Sequence, residues 1–139
     1  MRKKTIYVTR KMHFNAAHRL HNLNLSETEN QKIFGPCNNK NGHGHNYEIE
    51  VTVCGTPSDT TGYLIDLKEL KSIIEKQIIN ECDHKHLNHD VAWLDGINPT
   101  AENLVIAFWD RLINEIKNGK LYAVKLYETE RNIVEYRGE

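Results

Sequence analysis

Hydrophobic periodicity changes twice along this chain, and those changes constrain the fold more than any single motif. In the run TIYVTRKMHFNAAHRL, Ile6, Val8, Met12, Phe14 and Ala16 share one parity, the period of a half-buried strand, with Arg10 the one interruption. Tyr47, Ile49, Val51 and Val53 alternate with Glu48, Glu50 and Thr52 in a second strand. The period then lengthens. DLKELKSIIEKQIINE sets Leu67, Leu70, Ile74 and Ile78 at helical spacing, with Asp66 and Glu69 placed as a capping box. NPTAENLVIAFWDRLINEIKNG repeats the pattern, with Ala101, Leu104, Val105, Phe108, Leu112 and Ile116 as the stripe and Gly119 as the stop. LYAVKLYET and NIVEYRG, parted by Glu130 and Arg131, close as a hairpin. The order ββααββ predicts an α+β domain. The polar segment from Asn22 to Gly42, with Gly35 and Pro36, reads as a long excursion rather than a core element.

A chain of 139 residues, 39% of them hydrophobic, has room for one domain, residues 1–139, around a modest core. A formal charge of −1 supplies no general attraction to nucleic acid or a membrane surface, so an anionic ligand must be met locally. No apolar run approaches the length of a bilayer span. Cys37, Cys54 and Cys82 are odd in number and irregular in spacing, and MRKKTIYV lacks the apolar stretch of a signal peptide, which points to a reduced, cytoplasmic setting. Histidine, at eight residues, is the compositional outlier.

Strand parity sorts those histidines. His43 and His45 share the apolar face of Tyr47 and Ile49, and His18 shares that of Met12, Phe14 and Ala16, while His13 has the opposite parity. Any one of them alone reads as a hydrogen-bonded core histidine. Three converging on one face match catalytic zinc, which keeps a fourth position open for water or substrate. The other H-x-H pair, His84 and His86, lies in a loop without flanking alternation and is the weaker ligand pair.

Glu128 shares the face of Tyr122, Val124 and Leu126, so a carboxylate is directed where apolar side chains go. It either lies past the strand end, pairs with a buried cation, or accepts hydrogen bonds from an amidine-like ligand edge. Cys54 and Cys82 read as inert small hydrophobes. Cys37, in a polar loop just before two of the histidines, is either a fourth zinc ligand or a base or nucleophile beside an open metal. Asp83 and His84 are an acid/base pair or two solvated loop residues.

The stretches FNAAHRL, FGPCNNKNGHGHNYEIEVTV, CDHKHLN, PTAENL and KLYETERNIVEYRGE, in this order, resemble the 6-pyruvoyltetrahydropterin synthase family from the first strand to the last residue. The resemblance implies a lyase of tetrahydrobiopterin synthesis acting on 7,8-dihydroneopterin triphosphate and releasing triphosphate. It implies zinc on His18, His43 and His45, with Mg2+ accompanying the triphosphate. Cys37 would be the proton-abstracting base and Asp83 and His84 the relay. Glu128 would anchor the pterin, with Thr100 and Glu102 also on the substrate. The implied fold is the T-fold, or tunnelling fold, a four-stranded antiparallel sheet with two helices on one face. Three sheets close into a barrel, and two trimers stack into a homohexamer with active sites between subunits. Two other functions are weighed: the related 6-carboxytetrahydropterin synthase of queuosine biosynthesis, and a non-catalytic zinc-bound assembly module. The former resembles a C-x-x-x-H-G-H pattern, whereas five residues separate Cys37 from His43 here. Arg10, Lys11, Arg19 and Lys40 are unranked candidates to meet the triphosphate.

Overall fold

The computed structural model describes residues 3–139; Met1 and Arg2, on which the leader reading partly rests, lie outside the described residues. Two long strands form its spine. β1 (Ile6–His18) and β2 (His43–Gly55) pair antiparallel along their whole length, from Ile6 opposite Gly55 to His18 opposite His43. β4 (Lys120–Tyr127) pairs with β2, and β5 (Ile133–Tyr136) folds back on β4 as the expected hairpin. The sheet also gains a fifth strand. β3 (Lys85–His86) runs parallel to β1 at Ala16 and Ala17, giving the order β3-β1-β2-β4-β5. Nothing in the polar loop CDHKHLNHD alternates. Backbone bonds from His84 N to Asn15 O (2.6 Å) and Leu87 N to Ala17 O (2.8 Å) place β3 instead.

One face of the sheet carries the core. Phe14, Tyr47, Ile49, Val51, Val124 and Leu126 are buried against α2 (Leu67–Ile74) and α4 (Ala101–Leu112). Phe14 stacks on Tyr47 at 4.9 Å and meets Phe108 edge-on at 5.9 Å, coupling both central strands to α4.

Several helical details depart from expectation. The excursion contains a helix, α1 (Glu27–Phe34), opened by a reciprocal capping box between Ser26 and Glu29. Asp66 does cap α2, accepting from Lys68 N at 2.9 Å, but Glu69 does not complete a box there and accepts from Asn118 Nδ2 at 3.3 Å instead. Leu67, expected in the stripe, is half exposed at the first turn, before the helix reaches the sheet. α4 ends at Leu112, and Gly119 (φ +80°) turns the chain into β4 rather than stopping the helix.

After Ile74, α2 loosens into a π-turn (Glu75–Ile79) and resumes as α3 (Asn80–Cys82). Leu70, Ile74, Ile78 and Cys82 recur every fourth residue and all are fully buried. In a regular helix such a row would drift by about 40° per step. The wider π-turn cancels part of the drift, and Arg111 Nε donates to the Gln77 carbonyl there at 3.1 Å. No helix among the described residues is long and apolar enough to cross a membrane.

Candidate metal centre and active site

β1 ends and β2 begins at the same place, so His18 and His43 face each other as the last pair of the ladder. With His45 two residues on, three imidazoles project from the core face. Their ring centroids lie 4.8 to 5.0 Å apart, and one ligand atom from each falls within 4.8 Å of the others. His18 Nε2, His43 Nδ1 and His45 Nε2 are buried without a hydrogen-bond partner among the described residues. Three orphaned nitrogens in one place are costly unless something is meant to meet them. A cation does so, and three imidazole nitrogens are a donor set that fits zinc.

Surrounding groups hold His18 and His45 in the ligand form. His18 Nδ1 lies 2.8 Å from the Pro99 carbonyl, which can only accept, so Nδ1 carries the proton and Nε2 presents its lone pair. The Tyr47 hydroxyl, fully buried, lies 3.3 Å from the same Nδ1. Burial lowers His18 to about 4, against the opposing pull of the Pro99 bond, and the neighbouring histidines add to the shift. Burial also lowers His45, with Glu128 opposing. Gly42, just before His43, has φ +78°, and a Cβ there would lie 2.9 Å from the His18 carbonyl oxygen and 2.8 Å from His86 Nε2.

Glu128 sits one residue beyond β4, half buried, with its N–H donating to Asn132 O at 3.0 Å. Its one ion-pair contact among the described residues is His18, Oε2 to Nε2 at 4.0 Å, so no buried lysine or arginine claims it. Cys37 lies in a 3₁₀ turn (Gly35–Asn38), half buried, and is not part of the histidine cluster. Leu20 N donates to the Cys37 carbonyl at 2.9 Å, which ties this turn to the end of β1.

Asp83 and His84 form a pair at 3.0 Å, and Asn15 N donates to the same Asp83 oxygen at 2.9 Å. The Asn15 bond first, and His84 second, hold the Asp83 carboxyl below its usual range. The pair lines a cavity with exposed His13, Asn15 and Asn46 and with Glu48, all of the parity opposite to His18, and with buried Phe14 and Tyr47. Within one chain it therefore opens on the other face of the sheet. Thr100 caps α4, accepting from Asn103 N at 3.2 Å, and Glu102 is exposed in that first turn. His86 stacks on His89 at 4.3 Å, outside the metal cluster. The buried Cys82 thiol is pushed up to about 12 by burial, in keeping with an inert residue. Sequence reasoning missed the Pro99 carbonyl and the Tyr47 hydroxyl; only Tyr47 left a signal, its parity with His45. It also missed Asn38, buried, whose amide reaches Leu20 O and His21 Nδ1, both at 2.8 Å.

The sequence profile of 6-pyruvoyl tetrahydropterin synthase matches residues 7–139. The chain is 46% identical to the Homo sapiens 6-pyruvoyl tetrahydrobiopterin synthase over 132 residues, 95% of this chain and 91% of that one. It is 44% identical to the Dictyostelium discoideum protein of the same name over 136 residues, 98% of each. Among solved structures, 6-pyruvoyl tetrahydropterin synthase of Caenorhabditis elegans superposes with a TM-score of 0.94 at 38% identity, covering 100% of this chain and 99% of the other.

Proposed function

The chain belongs to the 6-pyruvoyl tetrahydropterin synthase family, and on that premise we propose that it converts 7,8-dihydroneopterin triphosphate to 6-pyruvoyltetrahydropterin with release of inorganic triphosphate. One observation carries the reading: among the described residues, three inward histidine nitrogens lack protein partners, beside a carboxylate that no lysine or arginine neutralises. His18, His43 and His45 would hold zinc, which when bound supplies Lewis acidity to the hydroxyls of the substrate side chain.

The chain's own residues do the rest. Glu128 accepts hydrogen bonds from the amino-pyrimidine edge of the pterin and so sets the ring's position. Cys37, on the turn fastened to the end of β1, takes the carbon-bound proton as a thiolate. His84, oriented by Asp83, relays protons between the side chain and the ring. Because that pair opens on the opposite sheet face of its own chain, we assign it to the site of a neighbouring copy. Three sheets would close into a barrel and two trimers into a hexamer, which would also remove the open strand edges. Thr100 and Glu102, at the start of α4 beside Pro99, would complete the substrate contacts. The setting proposed is the cytoplasm, with Mg2+ accompanying the triphosphate.

The five residues between Cys37 and His43 favour this reading over the 6-carboxy enzyme. The test is product analysis after incubating the zinc-loaded protein with dihydroneopterin triphosphate. 6-Pyruvoyltetrahydropterin and triphosphate are expected. A 6-carboxy product, or an unconsumed substrate, overturns the proposal.

A further inference from the structure

We infer that Arg19 and Lys40 form the clamp for the substrate's triphosphate, on the collar where β1 and β2 leave the sheet. The inference rests on the dihydroneopterin triphosphate reading and supplies residues that reading does not name.

Its first support is linear order. Tyr127, the last residue of β4, pairs with Glu48, so Glu128 falls beside Tyr47 on β2. Moving along β2 from there, the chain passes His45, then His43, and then leaves the sheet toward Lys40. On the paired strand, Arg19 directly follows His18. The substrate has the same order: the pterin ring, then the two hydroxyl carbons, then the phosphorylated carbon. With the ring at Glu128 and the hydroxyls at the histidines, the triphosphate reaches the collar.

A second support comes from the other cations. Lys11 is already neutralised by Glu48 at 2.9 Å. Arg10 is eight residues from His18 along an extended strand, about 27 Å away at ~3.4 Å per residue. That distance exceeds what a triphosphate attached to a metal-held side chain can span. Neither Arg19 nor Lys40 makes an ion pair among the described residues.

The third support is preorganisation. Arg19 Nε donates to the Asn38 carbonyl at 3.0 Å, and Asn88 grips the Arg19 backbone twice, at 2.8 Å on both N–H and carbonyl. A guanidinium held by Nε keeps its terminal nitrogens for a bidentate phosphate contact. Two open clefts, about 660 and 640 Å³, flank this place, and Arg19 and Lys40 are the residues they share. The first also receives His21, His89 and Asp95, and the second Glu27. Since Asn38 and Leu20 join the same collar to the turn bearing Cys37, anchoring the phosphates there also steadies the base.

The test titrates inorganic triphosphate into zinc-loaded protein by calorimetry, with Mg2+ in excess so that the anion does not strip the zinc. Lys40→Ala and Arg19→Gln should each weaken binding about tenfold or more, the loss expected for hydrogen bonds to a charged group. KM for dihydroneopterin triphosphate should rise in parallel, and the salt dependence of triphosphate binding should flatten. Lys117→Ala, at an exposed lysine between α4 and β4, should change neither. Lys40 is exposed, so its variant stays informative if Arg19→Gln disturbs the loop. Wild-type triphosphate affinity in folded Lys40→Ala and Arg19→Gln overturns the clamp, even if turnover proves the proposed function right. Conversely, triphosphate binding that depends on both residues upholds the clamp even if the protein fails to turn over the pterin triphosphate.

Discussion

The two glycines of the G-H-G-H stretch should respond in opposite directions to the same substitution. Gly42 has φ +78°, a region that costs an alanine about 1–2 kcal/mol. Its new Cβ would also sit 2.9 Å from the His18 carbonyl oxygen and 2.8 Å from His86 Nε2. The imidazole can move, but the strand carbonyl cannot without shifting His18, and forcing a methyl into packed structure costs about 1–3 kcal/mol more. Gly42→Ala should therefore lose about 2–5 kcal/mol, which at roughly 4 °C per kcal/mol for a domain of this size lowers Tm by about 8–20 °C. At Gly44 the nearest atom to an added Cβ is the Ala16 carbonyl oxygen, at an ordinary 3.6 Å. Replacing a strand glycine there should be neutral or stabilise by about 0.5–1 kcal/mol. Scanning calorimetry of the metal-free variants separates the two effects, and chelator competition should show weaker zinc binding only in Gly42→Ala. If Gly42→Ala melts within about 2 °C of Gly44→Ala, the close approach at His18 does not exist.

Four further outcomes are expected. His43→Ala and His45→Ala should lose most bound zinc while His13→Ala, on the other face, retains it; metal analysis showing full occupancy in His43→Ala would refute the three-histidine site. Cys37→Ala should keep zinc while turnover falls by about 10²–10⁴, the usual effect of losing a proton-transfer group, whereas zinc loss would make Cys37 a ligand. Glu128→Ala should fold and retain zinc but bind pterin more weakly, by about 1.5–3 kcal/mol per lost charged hydrogen bond; a large fall in Tm with unchanged pterin affinity would sink the anchor role. In metal-free protein, His18 takes its proton at about 4 when folded and near its ordinary 6.5 when unfolded. The unfolded chain therefore binds the proton first, and stability falls on acidification from pH 6.5 to 4, by about 3 kcal/mol in all. Urea titrations at pH 7 and 4.5 measure this, and an equal loss in His18→Gln would assign it elsewhere.

The strands were legible because each buries one face, so alternation survives along β1, β2 and β4 and assigns His18, His43, His45 and Glu128 to the core side. Parity cannot supply register, and it was the pairing of His18 with His43 that turned three inward histidines into a cluster. α1 was illegible by periodicity because its one buried residue is Asn30, whose amide donates to the Asn22, Leu25 and Ser26 carbonyls. The S-x-x-E signal at Ser26 precedes no apolar stripe, unlike Asp66, and so does not by itself mark a helix. β3 follows from two backbone bonds and leaves no side-chain trace, so the turn of Asp83 and His84 toward the opposite sheet face was out of reach. The Pro99 carbonyl was equally hidden, since any residue could have supplied it.

The π-turn in the long helix separates two quantities that a regular helix ties together. An α-helix that gains one residue rotates everything downstream by about 100°. Here the extra residue is stored in the wide turn Glu75–Ile79, so Ile78 and Cys82 keep facing the core after Leu70 and Ile74. The connection to Asp83 can thus be lengthened without rotating its packed face. Along this helix the core sets the azimuth of the packed face, and the wide turn sets how far the chain reaches before Asp83.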